Sequence, residues 1–238
     1  MARRHPHLLA ILGLSAIVTL SACGKSDLAE VTPGKESNVS GEVGMTPEAE
    51  GNPYDGSLEA GKYKNEYFGF TISFPVTWAV ISPKIAQVQQ ERETEVMSGD
   101  VEILKSSLKA AAKTQPLLII SEQPQGTPTA SFNPSIVVQA KKVPHVSGII
   151  SGAKYLQLEM DYLRQKSNLP YTQIGTPYEV EIGGRKFHRV DLTLTSSEIE
   201  ISQSYLATIE KSYALSLMLS GTKDTMGRLE EIAESIEF

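Results

Sequence analysis

Ser151-Gly152-Ala153-Lys154 has the spacing most suggestive of chemistry, because a serine three residues before a lysine at a helix start lets an amine assist attack by the hydroxyl. That is the Ser-x-x-Lys arrangement of acyl-serine hydrolases. Ser106-Ser107-Leu108-Lys109 matches equally well, and neither Ser-Asp-Asn nor Lys-Thr-Gly follows either of them. Beyond the leader the histidines are His145 and His188. A triad or a zinc site needs several such groups converging, and His188 sits inside an alternating Phe187-His188-Arg189 run. Glu159 with Asp161, and Glu198 with Glu200, could share a divalent ion, yet near neighbours without EF-hand spacing read as solvated charges. Gly183-Gly184 reads as a turn and not as a phosphate cradle. No catalytic residue, metal ligand or cofactor is assigned on these grounds. Tyr155, Tyr162, Tyr171 and Tyr178 gather around one helix and the loop after it, a candidate recognition surface to be set against ordinary core rim.

Covalent chemistry of another kind is written at the start of the chain. Arg3 and Arg4 precede an apolar run from Leu8 to Leu20 that is too short to span a bilayer and fits the h-region of a secretory signal. Leu20-Ser21-Ala22-Cys23 follows at once and resembles the lipobox of bacterial lipoproteins. In that reading a peptidase cuts between Ala22 and Cys23, and the thiol carries a diacylglycerol. Cys23 is the chain's one cysteine, so no disulfide or Cys-based metal site competes for it. Two acyl chains, at about 0.8 kcal/mol per buried methylene, make a stable anchor. Gly24 is not the Asp that signals retention in the inner membrane, so an outer membrane and a single cell membrane both stay open.

Residues 23–61 carry Gly, Ser, Pro, Thr and Glu without apolar periodicity, the composition of a disordered tether with a reach of about 35 Å. The expected organisation is therefore signal peptide 1–22, lipidated cysteine and acidic tether 23–61, and one domain 62–238. The formal net charge is -6, and loss of Arg3 and Arg4 makes the remainder more negative still. That balance excludes nucleic acid as a partner and excludes attachment by a polybasic surface.

The domain opens with Phe68, Phe70, Ile72 and Phe74 on alternate positions, one apolar face of a strand that Pro75 ends. Helical spacing predicts amphipathic helices over Lys84–Ser98 and from Asp100 to about Ala112. Strands follow at Pro116–Ser121 and Ser135–Ala140, then a helix carrying Ile149, Ala153, Leu156, Met160 and Leu163 on one side. Tyr178–Ile182, Gly183-Gly184 and Arg185–Thr195 make a hairpin, and Glu198–Glu210 and Tyr213–Ser220 add antiparallel strands. In the last of these both faces are apolar or small, as in a sheet covered on two sides. Thr222 or Asp224 caps a closing helix. The expected class is α+β, an antiparallel sheet flanked by helices on both faces.

Tyr63, Asn65, Gly69-Phe70, Pro75 and Trp78 at the start, with a Gly-Gly hairpin, a Tyr213-Ala214-Leu215 strand and a closing Ser235-Ile236-Glu237-Phe238, resemble the PsbP-like family over Tyr63 to Phe238. The resemblance implies an α/β/α sandwich. Its photosynthetic members assist photosystem II and its nuclear-import relatives bind a small GTPase. The helical insert at Lys84–Ala112 and the acidic tether depart from the photosynthetic type, so that partner does not carry over.

Taken together, the residues lead to a membrane-anchored extracytoplasmic lipoprotein, not an enzyme, held to the bilayer through acylated Cys23 and meeting an envelope protein of unknown identity. The alternatives are a small hydrolase using Ser151 and Lys154, and a solute-binding lipoprotein.

Overall fold

A helix that begins on a glycine needs a reason, and Gly152 has one. A Cβ there would stand 2.0 Å from the Ala207 carbonyl oxygen, so only glycine lets the helix start lie flat on the sheet. The computed structural model describes residues 51–81, 116–124, 127, 132–143, 151–166, 171–196 and 199–238. The leader, Cys23, most of the tether, the helices expected within Lys84–Ala112, Ser106, Lys109, His145 and Glu198 lie outside the described residues.

Among those described are ten strands and two helices: β1 Gly56–Glu59, β2 Lys62–Asn65, β3 Phe70–Ser73, β4 Ala79–Val80, β5 Pro116–Ser121, β6 Ser135–Lys142, α1 Gly152–Lys166, β7 Tyr171–Ile182, β8 Arg185–Ser196, β9 Ile199–Glu210, β10 Tyr213–Gly221 and α2 Lys223–Glu234. Seven strands form one antiparallel sheet in the order β4-β5-β6-β10-β9-β8-β7, and β1-β2-β3 form a second.

β10 lies at the centre of the large sheet, and its alternation sorts the core. Leu215, Leu217 and Leu219 join one buried cluster with Leu229 and Ile232 of α2 and with Phe68, Phe70 and Ile72 of the small sheet. Ala214 and Met218 join the other, with Tyr155, Leu156, Met160 and Leu163 of α1. Full burial of each large side chain contributes about 1.5–3 kcal/mol. The expected sheet between helices is present, and the small sheet shares one of its faces with α2.

The opening motif is held by a buried polar residue. Asn65 is 0% exposed, donates from Nδ2 to the Pro53 carbonyl at 2.9 Å and accepts the Phe68 N–H at 2.9 Å. Gly69 then takes φ +69°, which lets the chain turn into β3. The C-terminus closes on that strand: Thr71 and Glu237 exchange backbone hydrogen bonds at 2.8 and 3.0 Å, and Ser235 Oγ donates to the Ser73 carbonyl at 2.8 Å. Phe238 packs between Phe70 and Phe187, with the Arg185 guanidinium 4.0 Å from its ring centre.

Two differences from the sequence reading concern lengths. β1 lies inside the stretch whose composition reads as tether; it pairs with β2, whose inward residues are Tyr63 and Asn65. β7 begins at Tyr171 and not at Tyr178, with a break in register between Ile174 and Tyr178 where Gly175 and Pro177 fall.

Candidate functional site

Ser151 is the N-cap of α1. Its Oγ accepts the backbone N–H of Lys154 at 3.2 Å, the usual work of a serine at this position. Lys154 is exposed, so what it presents to Ser151 is its backbone and not an ammonium poised to take a proton. His188 is half-buried near the helix start, with Nδ1 3.3 Å from where a Cβ on Gly152 would be. These residues meet to seat the first turn of α1 on β8 and β9.

The carboxylates near α1 divide sharply. Asp161 pairs with Arg164 at 3.0 Å on the exposed side, as a solvated charge should. Glu159 does not fit the solvated reading, being 2% exposed on the sheet side of the helix. Its position was legible, since it follows Leu156 by three residues and precedes Leu163 by four. Tyr155 and Tyr205 lie beside it in the core between α1 and the sheet, with Ser216 beside Tyr155. Gln203 donates to Ser220 Oγ at 3.0 Å, and the Tyr155 hydroxyl lies beside the Glu159 carboxylate and Ser216. Burial, then the neighbouring Glu159 charge, pushes the Tyr155 hydroxyl well above its ordinary pKa; burial, then Tyr171 and Glu159, does the same to Tyr205. Glu200 is exposed. No group of three or more His, Cys, Asp or Glu forms a metal cage among the described residues.

The four tyrosines do not form one surface. Tyr155 is core, Tyr171 is half-buried with burial raising its hydroxyl to about 12, and Tyr162 is half-buried on α1. Tyr178 stands on the opposite face of the sheet, the α2 face, 44% exposed.

That α2 face carries a network the sequence reading missed. Arg189 donates from Nε to Asp191 at 2.8 Å, and from Nη2 to Ser204 Oγ at 2.9 Å and Glu230 of α2 at 2.6 Å. Asp191 also accepts from Ser204 Oγ at 2.6 Å and from the Tyr178 hydroxyl at 2.8 Å. Burial alone would raise the Asp191 carboxyl, but the hydrogen bonds from Ser204, Arg189 and Tyr178 outweigh it and hold the group below its usual value. The signal available in sequence was Arg189-Val190-Asp191, opposite charges on the same side of a strand with an apolar residue between them. Chemically the network fastens α2 to the sheet and leaves no uncompensated base.

A third polar group lies at the end of the sheet where the β9–β10 turn approaches β2 and β3. Lys211 donates to the Tyr67 carbonyl, its ammonium 5.1 Å from the Tyr67 ring centre. Tyr67 and Phe68 each meet Tyr213 edge-on, at 5.9 and 5.7 Å.

No family model matches the sequence, and no curated protein matches it. Solved structures do match. The chain is similar to CyanoP, the cyanobacterial PsbP of Synechocystis, over 77% of its own length and 95% of that chain, at 10% identity and a TM-score of 0.45. It is similar to LpqN, involved in cell envelope biogenesis of Mycobacterium tuberculosis, over 50% of its length and 70% of that chain, at 21% identity and 0.37. A Pseudomonas aeruginosa protein of unknown function matches over 48% and 73%, at 14% identity and 0.35. A PsbP protein is thus among the structural neighbours of this chain.

Proposed function

We propose that the chain is a lipid-anchored protein of the extracytoplasmic face of a bacterial membrane, cell or outer, whose folded domain works by binding or assembling an envelope partner. The observation that carries the non-catalytic part is the use of Ser151: its Oγ caps α1 through the Lys154 N–H, and Lys154 itself is exposed. The anchored part rests on residues: a short basic start, an apolar run, and Leu20-Ser21-Ala22-Cys23 in a chain with one cysteine. No helix among the described residues is long and apolar enough to cross a membrane. A solute-binding protein of two lobes finds little support, because the strands from β4 to β7 belong to one sheet.

The experiment is expression of the wild type and Cys23→Ala with a radiolabelled palmitate. Wild type takes up label and stays with membranes, and the variant does neither. Cross-linking on intact cells, followed by identification of captured proteins, then names the partner. Equal membrane partition without label defeats the anchor, and covalent labelling of Ser151 by an acylating probe defeats the non-catalytic reading.

A further inference from the structure

The β9–β10 turn is made of Lys211 and Ser212, at φ 48° and 65°. Both lie in the left-handed region that a two-residue hairpin fills with least strain as Asn-Gly, so the lysine stands there against local preference. It is exposed, and its ammonium is steered onto the carbonyl and ring face of Tyr67. Around it are Tyr213, Tyr54, which donates its hydroxyl to the Ala140 carbonyl at 3.4 Å, and exposed Lys142 opposite Tyr213 in register. The described chain enters the domain at this same end, since a Cβ on Gly51 would lie 3.7 Å from Tyr67 Cδ2.

We infer that this lysine and tyrosine end contacts anionic lipid headgroups of the membrane to which Cys23 is tied. The inference rests on the lipid-anchor reading, which makes this the end from which the tether leaves toward the bilayer. The chemistry suits a headgroup layer: the exposed Lys211 ammonium, with one donor on the Tyr67 carbonyl, has others for phosphate oxygens, while Tyr54, Tyr67 and Tyr213, half-buried against the core, hold the turn in place. The net charge of -6 makes the contact weak by itself. A flexible tether offsets that weakness by raising the local concentration of the surface to the millimolar range, so the contact orients a domain that the acyl chains already hold.

Trp78, the single tryptophan, supplies the readout. Full-length lipidated protein is reconstituted into vesicles of phosphatidylcholine with or without about one third phosphatidylglycerol, each carrying a dansyl headgroup acceptor, and energy transfer from Trp78 is compared. Wild type and Lys211→Arg should transfer more in anionic vesicles than in neutral ones, with the difference removed by about 0.5 M salt, beyond the reach of screened contacts. Lys211→Asn, which suits the left-handed turn and keeps the fold by circular dichroism, should fall to the neutral-vesicle value. Equal transfer in both vesicle types, an unchanged Lys211→Asn, or a difference abolished by millimolar inorganic phosphate at constant ionic strength overturns the headgroup contact alone. Failure of the wild type to float with either vesicle overturns the anchor reading and the contact with it.

Discussion

Asp191 offers the sharpest test of how α2 is held. Its carboxylate accepts from three side chains: Ser204 Oγ at 2.6 Å, Arg189 Nε at 2.8 Å and Tyr178 Oη at 2.8 Å. A hydrogen bond to a charged group contributes about 1.5–3 kcal/mol when well shielded. The side chains of Arg189 and Asp191 are 20% and 23% exposed, so solvent screening reduces each bond to about 1 kcal/mol. Asp191→Ala should therefore cost about 2–3 kcal/mol, and Asp191→Asn, which keeps shape but aims an uncharged amide at Arg189, about half of that. Urea unfolding at pH 7 reads this as a lower midpoint at unchanged slope. A cycle with Arg189→Met should give a coupling of about 1 kcal/mol, Arg189 keeping Glu230 and Ser204 when Asp191 is removed. The pH dependence has a definite sign. The folded pKa of Asp191 is depressed, so its contribution is complete above the unfolded value of about 3.9 and is lost as pH falls through the folded value. A cost below about 0.5 kcal/mol for Asp191→Ala, or an acid transition unchanged in Asp191→Asn, would show that desolvation cancels the network.

Three further outcomes follow from the geometry. Gly152→Ala should destabilise by about 3 kcal/mol in urea, because the new methyl meets the Ala207 carbonyl at 2.0 Å and must push α1 off β9. Ser151→Ala should lose about 1 kcal/mol of helix cap and leave the labelling of intact protein by a β-lactam probe at background, as in the wild type. Seven of the nine tyrosine hydroxyls are raised above their ordinary value, burial being the first cause in every case and Tyr171 reaching about 12. Because the unfolded chain loses those protons near pH 10 and the folded one does not, stability is complete below pH 10 and falls between about 10 and 12, readable as a dropping urea midpoint.

Elements whose residues alternate or recur cleanly were legible from sequence. β5, β9, β10 and both described helices lie within a residue or a few of where periodicity puts them, and the dual apolar faces of β10 announced a sheet buried on both sides. β2 escaped notice because one of its two inward residues is Asn65, which is buried by virtue of its hydrogen bonds and not by its apolar character. The first half of β7 was obscured by Gly175 and Pro177, local loop signals overruled by pairing with β8 on both sides of the bulge. Ser151 could be placed at a helix start but not assigned a role, since Ser-x-x-Lys spacing is shared by a cap and by a catalytic pair. Only the hydrogen bond to the Lys154 N–H separates them. The Arg189 network depends on β8, β9 and α2 meeting, a contact between residues up to 41 positions apart that no local pattern encodes.

The polar groups of this domain are distributed in a way that bears on how it works. Beneath α1 they are buried, and on the α2 face Arg189 and Asp191 satisfy one another and fix a helix. Both arrangements stiffen the sandwich, and neither leaves a strong base facing a nucleophile. What remains strained and exposed is the Lys211-Ser212 turn, where the chain keeps a lysine in a conformation that costs about 1 kcal/mol beyond what a glycine or asparagine would require. The Tyr67 carbonyl and ring hold that lysine, and the Ser212 carbonyl accepts the Val143 N–H, so internal contacts offset part of the strain while the ammonium stays at the surface beside the entry of the described chain. The proposed headgroup contact would use that exposed ammonium, and Lys211→Asn, which relieves the turn and removes the charge together, separates a binding role from a purely structural one.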